Sequence, residues 1–268
     1  MFTITKRVFL LFSGFAFATH ISATPVDLST WTAEGGSSNW NVQTGNDSVL
    51  QTVNGAPTVF FDPNATSSQG KALSGEIKVT TTLDDDFIGF VLGYNSGEIL
   101  SETADFFLID WKQGNQGNAS RGLSISHVTN GKGDYWEHTD GVSEILRAEN
   151  LGDTGWSDKT SYQFDLVFTD SLIEVIVNQI TEISIRPDDV PGLNAFSDGA
   201  FGFYNYSQAN VLYSAITETD CSVTPNDPAC GSSGGDQPPT SSVPEPGTLA
   251  LLSLGLLGTG IFRKRSRA

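Results

Sequence analysis

The chain is poor in the residues that most metal and nucleic-acid sites use. Its 268 residues include two cysteines and three histidines, and 14 basic residues stand against 31 acidic ones. The cysteines have no second pair and the histidines stand apart, so the sequence offers no zinc-binding pattern. The acidic excess makes nucleic acid and anionic lipid surfaces unfavourable partners.

Sequence patterns of catalysis are also absent. There is no nucleophile elbow of the Gly-x-Ser-x-Gly type, no phosphate-binding loop and no histidine-based metal motif. A glycosidase needs two carboxylates about 5 to 9 Å apart facing one cleft. The strand-like segments around Asp110, Asp165 and Glu174 each offer a single acid, and we therefore expect a protein that is not an enzyme.

The C-terminus has three parts: Val243, Pro244, Glu245 and Pro246, then an uncharged apolar run over 247–262, then four basic residues over 263–268. This arrangement resembles the PEP-CTERM sorting signal of Gram-negative bacteria. The resemblance implies recognition and cleavage by an exosortase-type membrane protease. A helix of 16 residues is roughly 24 Å long, shorter than the ~30 Å hydrocarbon layer, and the basic end should stay cytoplasmic. We expect a temporary transmembrane segment, and a permanent tail anchor is the alternative.

The N-terminus has the layout of a secretory signal peptide, expected over residues 1–23. Lys6 and Arg7 precede an apolar stretch over 8–18, and small residues follow, so that cleavage after Ala18 or after Ala23 fits. The protein is therefore expected to be exported. Residues 24–242 carry 30 acidic and eight basic side chains, a net charge of −22 that favours solubility and divalent cations.

The two cysteines, Cys221 and Cys230, are predicted to form a local disulfide, because export leads to an oxidising compartment. They lie in a segment, 220–242, whose second half is rich in Gly, Ser and Pro and reads as a flexible linker. The predicted organisation is thus a signal peptide, a folded domain over 24–219, this linker, and the sorting signal over 243–268.

The domain has the pattern of an all-β fold. Short runs rich in β-branched and aromatic residues are separated by Gly, Asn, Asp or Ser, and no window shows a helical period. A two-sheet antiparallel sandwich follows as the expected architecture. The predicted strands are 76–82, 87–94, 106–111, 122–128, 162–168, 172–178, 181–185, 200–206 and 211–216.

Five segments resemble parts of the thrombospondin C-terminal domain and follow one another in the same order as in that family. They are 84–94, 106–114, 121–124, 155–162 and 199–208. The resemblance covers roughly residues 70–217. It implies a jelly-roll sandwich similar to concanavalin and L-type lectins, extracellular placement, calcium binding and a role in adhesion. No type 3 calcium repeat and no Arg-Gly-Asp are present, so integrin-type adhesion is not carried over.

Asp84, Asp85 and Asp86 are the predicted calcium ligands. Three adjacent carboxylates repel one another, by about 1 kcal/mol per pair in bulk water at 4 Å, and a cation relieves that repulsion. Calcium is a hard ion that takes six to eight oxygens. Alternation in an extended segment puts Asp84 and Asp86 on one side, and a solvated turn is the alternative reading.

Residues near the second central strand could supply further ligand oxygens. Asp110 is expected on an exposed face, opposite to its neighbours Ile109 and Trp111, and is a weak candidate. The other candidates are Asp105, Asn115, Asn118 and Asp134.

Aromatic residues point to a carbohydrate-contact surface. Tyr135 and Trp136 lie in a loop-like setting and are the predicted ligand-binding pair, whereas Trp111 and Trp156 are expected in the core. Together the sequence predicts an exported calcium-binding protein that contacts polysaccharide or cell-surface glycans. The alternative is a structural component of an exopolysaccharide matrix with no discrete ligand site.

Overall fold

The computed structural model describes residues 23–231, which form two antiparallel sheets packed face to face. Seven strands of the eight-stranded sheet lie in the order β13-β12-β11-β6-β15-β4-β3, and β1 pairs with β15. Their bounds are Thr24–Pro25 (β1), Trp40–Val42 (β3), Val49–Gln51 (β4), Lys71–Val79 (β6), Tyr162–Phe168 (β11), Ile173–Val177 (β12), Ile180–Ile185 (β13) and Val211–Asp220 (β15).

The seven-stranded sheet has the order β10-β9-β8-β7-β14-β5-β2. Within residues 23–231 the helical elements are 3-10 turns of three residues each. The strands of this sheet are Thr32–Gly35 (β2), Thr58–Phe61 (β5), Phe87–Tyr94 (β7), Phe106–Lys112 (β8), Gly122–Val128 (β9), Val142–Arg147 (β10) and Ala200–Tyr206 (β14).

The main core lies between the two sheets. Alternate residues of β7 and β8 point into it, and Phe90 meets Phe164 of the opposite sheet with ring centroids 4.4 Å apart. Tyr213 is fully buried there and stacks on Phe203 at 4.4 Å. Burial of this many apolar side chains is the main force that holds the two sheets together.

The outer face of the seven-stranded sheet is buried as well. A second apolar cluster forms there, because the segments 95–105 and 129–141 fold over the strands. Tyr135 of the second segment packs on Tyr204 of β14, with ring centroids 5.9 Å apart. This cover explains why all eight residues of β7 are buried, although the strand belongs to an antiparallel sheet.

Cys221 and Cys230 form the predicted disulfide, with an S–S distance of 2.07 Å. The bridged segment lies against the eight-stranded sheet, where Cys221 and Ala229 pack on Ala72, Val167 and Ile176. The predicted linker range 220–242 therefore includes a packed segment up to residue 231.

The all-β fold predicted from the sequence is confirmed. Residues 1–22 of the predicted signal peptide, the remainder of the linker and the predicted apolar C-terminal helix over 247–262 lie outside the described residues. Between residues 23 and 231 no helix has the length and apolar character needed to cross a membrane.

Candidate functional site

The three predicted calcium ligands lie in the loop that leads into β7. Asp84 is exposed, Asp85 is half-buried and Asp86 is buried, and each can direct one carboxylate oxygen so that the three lie within 4.8 Å of one another. The backbone of Asp84 has a φ of 100°, a left-handed conformation that is uncommon for a residue with a side chain. The loop thus gathers acidic oxygens at a turn rather than along an extended strand.

The rest of the protein fixes the buried end of this loop. The backbone N–H of Asp86 donates to Gln208 Oε1 at 3.1 Å, and its carbonyl accepts from Trp156 Nε1 at 3.0 Å. At the exposed end, Asn54 Nδ2 donates to the carboxylate of Asp84. The loop therefore has a preset shape, and Trp156 is a buried residue, as predicted.

Like charges destabilise the loop. Partial burial, together with the carboxylates of Asp86 and Asp85, raises the pKa of Asp84 above its ordinary value. A raised carboxyl pKa means that the ionised form is disfavoured where it stands. A bound cation would reverse this, so the chemistry of the loop fits a hard divalent ion such as calcium.

Lys112, at the end of β8, brings a fully buried ammonium to the same loop. Its Nζ lies 2.5 Å from Asp86 Oδ1, 3.9 Å from Asp85 Oδ1 and 3.3 Å from Gln116 Oε1. Phe87 pairs with Lys112 across β7 and β8, which places the two residues beside each other. Asp86 is thus closely ion-paired within the protein, Asp85 is half-buried at the edge of the same ammonium, and Asp84 is exposed to solvent.

Sequence reasoning missed Lys112. The available signal was the alternation along β8, which puts Lys112 on the same face as Asp110 and Leu108. That face was expected to be exposed, and an exposed lysine at a strand end would need no partner. Its burial follows from the segment 129–141, which covers the face from a distance in sequence.

Trp136 links the acidic loop to a pocket. Its ring lies 4.6 Å from Lys112 Nζ, and the Phe87 ring lies 5.0 Å from the same atom, an arrangement of cation–π type. Both rings line a cavity of about 230 Å³ on the outer side of the seven-stranded sheet. Its other lining residues are Asn118, Ala119, Ser120, Glu137, His138, Glu144 and Arg147.

The two predicted ligand-contact residues have different positions. Trp136 is partly exposed and lines the pocket, whereas Tyr135 is 4% exposed and packs on the sheet beneath the segment. The backbone N–H groups of Trp136 and Glu137 donate to Asp134 Oδ1 at 2.8 and 3.1 Å. Asp134, one of the weak ligand candidates, therefore shapes the turn that presents Trp136.

His138 ties this segment to the sheet. Its Nε2 lies 2.9 Å from Asp110 Oδ2 and its Nδ1 lies 3.5 Å from Glu144 Oε2. Burial alone would lower the pKa of His138, but Asp110 and Glu144 outweigh it and raise that pKa to about 10. His138 is therefore a cation at neutral pH, held between two carboxylates.

The expectation that Asp110 lies on an exposed face is wrong. Asp110 is 1% exposed, because the segment 129–141 covers it, and it accepts from Ser124 Oγ at 3.0 Å.

The other candidate ligands have partners within the protein. Asp105 pairs with His127 at 2.7 Å. Of the other weak candidates, Asn118 donates to Glu137 at 2.9 Å and Asn115 accepts from the backbone of Arg121 at 2.8 Å. Within residues 23–231 the acidic triplet alone forms a group that could hold a metal ion.

Two family models match the chain. The model of the thrombospondin C-terminal region matches residues 36–222, and the model of the PEP-CTERM protein-sorting motif matches residues 242–265. The first match contains the acidic loop and the pocket. The second coincides with the three-part tail seen in the sequence.

Curated relatives include thrombospondins and a cartilage oligomeric matrix protein. The chain is 25% identical over 196 residues to thrombospondin-3b of Danio rerio and 26% identical over 198 residues to thrombospondin-2 of Gallus gallus. It is 26% identical over 204 residues to cartilage oligomeric matrix protein of Rattus norvegicus. Each match covers 66% of this chain but only 20%, 16% and 25% of these relatives, respectively.

Solved structures show the same fold at low identity. A carbohydrate-binding module, CBM66 from Bacillus subtilis, matches with a TM-score of 0.50 at 11% identity, over 73% of this chain and 96% of that one. The exoplasmic domain of VIP36, bound to Ca²⁺ and a mannose-containing glycan, matches with a TM-score of 0.50 at 14% identity, over 74% and 86%. These matches establish a lectin-like sandwich.

Proposed function

Because this chain belongs to the thrombospondin C-terminal family and ends in a PEP-CTERM sorting motif, we propose that it is an exported calcium-binding protein of lectin-like type. It contacts polysaccharide or other glycans outside the cell and has no catalytic role. The observation that carries the proposal is the position of the pocket: Phe87 and Trp136 line it and also flank the ammonium that is paired with the acidic loop.

Calcium is the proposed ligand of Asp84, Asp85 and Asp86. The support is the mutual reach of their oxygens and the pKa of Asp84, which partial burial and then the carboxylates of Asp86 and Asp85 raise above its ordinary value. Asp84, which is exposed, and Asp85, which is half-buried, would contribute most of the charge. Asp86 would contribute one oxygen, because Lys112 already holds its Oδ1.

The pocket is the proposed glycan site. It combines a partly exposed indole, on which a sugar ring can stack, with hydrogen-bonding groups of Asn118 and Glu137 at its rim. A cavity of about 230 Å³ suits one or two sugar residues rather than a long buried chain. Tyr135 supports the segment from below in this proposal, and Trp136 makes the contact.

Export and sorting complete the proposal. The signal peptide delivers the chain across the inner membrane, the apolar segment 247–262 holds it there temporarily, and an exosortase-type protease processes the tail. The folded domain then resides at the cell surface or in the extracellular matrix.

A glycan array tests the binding role. Binding by the wild-type protein is expected to fall by about tenfold or more in Trp136→Ala, equivalent to about 1.4 kcal/mol. Glu137→Ala is a second pocket variant that leaves the ring packing in place, and Leu100→Ala is a matched control at an exposed residue outside the pocket.

The possible outcomes separate the candidate roles. Loss of binding in both pocket variants, with unchanged unfolding curves, supports recognition at this pocket. Binding that survives both substitutions places the contact surface elsewhere. No binding by the wild type to any glycan favours the structural matrix role, and release of reducing sugar would identify a glycosidase.

A further inference from the structure

Lys112 and Asp86 form an ion pair that is shielded from water on all sides. Their side chains are 0% and 4% exposed, with Nζ and Oδ1 2.5 Å apart. Among the lysine and arginine ion pairs within residues 23–231, this is the one in which both side chains are almost fully buried; the pairs Lys71–Glu218 and Lys132–Glu102 are open to solvent. Phe87 and Trp136 enclose the ammonium with their rings.

We propose that Lys112 and Asp86 condense into an intramolecular isopeptide bond, which cross-links the loop at the start of β7 to the end of β8. This covalent modification goes beyond the calcium and glycan roles proposed above and shares Asp86 with the proposed calcium site. It would make the two strands that carry the pocket wall and the acidic loop inseparable by unfolding.

The reaction balances without any added reagent. The ammonium of Lys112 passes one proton to the Asp86 carboxylate, which leaves a neutral amine beside a carboxylic acid. The amine nitrogen then attacks Cγ of Asp86, the N–C bond forms, and the C–OH bond breaks. The hydroxyl leaves with a second proton from the nitrogen as one molecule of water.

Position and burial favour the condensation. The two reacting groups are held in contact by β7–β8 pairing, which removes the entropy that a bimolecular amide formation would lose. A buried ion pair loses hydration that its attraction only partly repays, and a neutral amide has no such penalty. Exclusion of water by the two rings also protects the product from hydrolysis.

The polar groups of the cross-linked product have partners in the protein. The amide retains one N–H, and the oxygens of the Asp85 backbone and of Gln116 lie 3.3 Å from Nζ as acceptors. The amide also keeps one oxygen of Asp86, which can still face a cation at the acidic loop. Cross-link and calcium site are therefore compatible.

Mass spectrometry of the folded, full-length protein tests the proposal. After denaturation and trypsin digestion, an unmodified chain is cleaved after Lys112 and gives peptides 79–112 and 113–121. The cross-linked chain resists cleavage there and gives a single peptide, 79–121, lighter than its sequence mass by one water. Its fragmentation spectrum should contain no backbone breaks between residues 86 and 112.

Controls are available within the same digest. Lys132, which pairs with Glu102 in solvent, should be cleaved normally. Asp86→Ala and Lys112→Arg should each restore the full sequence mass, and Lys112→Arg should restore cleavage at 112. A cyclic imide at an aspartate also loses water, but it leaves Lys112 cleavable. Recovery of peptide 79–112 at its sequence mass from wild-type protein would overturn the proposal, whether or not the variants fold.

Discussion

The charged His138 makes the segment that carries the pocket sensitive to alkaline pH. The pKa of His138 is raised from 6.5 to about 10 in the folded protein, because Asp110 and Glu144 outweigh the effect of burial. A group whose pKa is raised on folding stabilises the native state fully below its unfolded pKa and loses that contribution as the pH rises towards its folded pKa. Stability should therefore fall between about pH 6.5 and pH 10.

The size of the effect follows from the shift. A change from 6.5 to about 10 corresponds to about 5 kcal/mol of stability at most, since one pKa unit is about 1.4 kcal/mol. His138→Gln removes the titration and keeps a polar side chain of similar size. The difference in unfolding free energy between wild type and His138→Gln should be largest near pH 6 and should shrink steadily towards pH 10.

Urea unfolding followed by tryptophan fluorescence at pH 6, 8 and 10 measures this difference. Asp110→Asn should flatten the pH dependence in the same way, because it removes the larger of the two attractions. His127→Gln is a matched control at the more open pair with Asp105. If wild type and His138→Gln have parallel stability profiles over this range, His138 is not held as a buried cation and the account of this segment is wrong.

Three further predictions concern the loop and its supports. Gly114→Ala would place a methyl group 2.2 Å from Asp85 Oδ2, so it should weaken calcium binding, measured by titration calorimetry, with a small loss of stability because that side chain can move. Reduction of the Cys221–Cys230 disulfide should lower stability in urea by about 3 kcal/mol, the entropy expected for a loop of this length. Trp156→Phe removes a buried indole bond to the backbone of the acidic loop, and thermal unfolding should show a loss of about 1 to 3 kcal/mol.

The strands with the clearest apolar patterns could be predicted from the sequence. Those at 87–94, 122–128, 162–168 and 200–206 agree with β7, β9, β11 and β14 at both ends. Each is bounded by turn-forming residues, and each has enough β-branched and aromatic side chains to be recognised locally. Local patterns suffice where the strand lies at the centre of a sheet.

The strand β10, Val142–Arg147, was missed for a physical reason. It is an edge strand with mixed exposure, and its register with β9 shifts between Glu144 and Leu146, so the regular alternation of a half-buried strand is lost. The start of β6 at Lys71 was also missed by five residues. The positions of edge strands and of β-bulges depend on pairing with strands that are distant in sequence, so local sequence patterns do not predict them.

The candidate site was predicted in part. The position of the acidic triplet at the entry to β7 and the exposure of Trp136 could be anticipated from composition and turn signals. The burial of Lys112 beneath Trp136 and the pairing of His138 with Asp110 could not, because both depend on the segment 129–141, which is distant in sequence from β8. Alternation along β8, taken alone, predicts that Asp110 faces solvent, whereas Asp110 is buried.

The central claim, calcium binding at the acidic loop, is tested most directly by thermal unfolding of the protein in EGTA and in millimolar calcium. The test variant is Asp84→Asn. The control variant is Asp188→Asn, at an exposed acid far along the chain. Calcium at a thousandfold excess over its dissociation constant should stabilise the wild type by about 4 kcal/mol. Asp84→Asn should lose that gain, yet be at least as stable as wild type in EGTA, because it removes a charge that partial burial and the neighbouring carboxylates disfavour, as the raised pKa of Asp84 indicates. Asp188→Asn should keep the full gain. A wild type that unfolds at the same temperature with and without calcium would contradict the account.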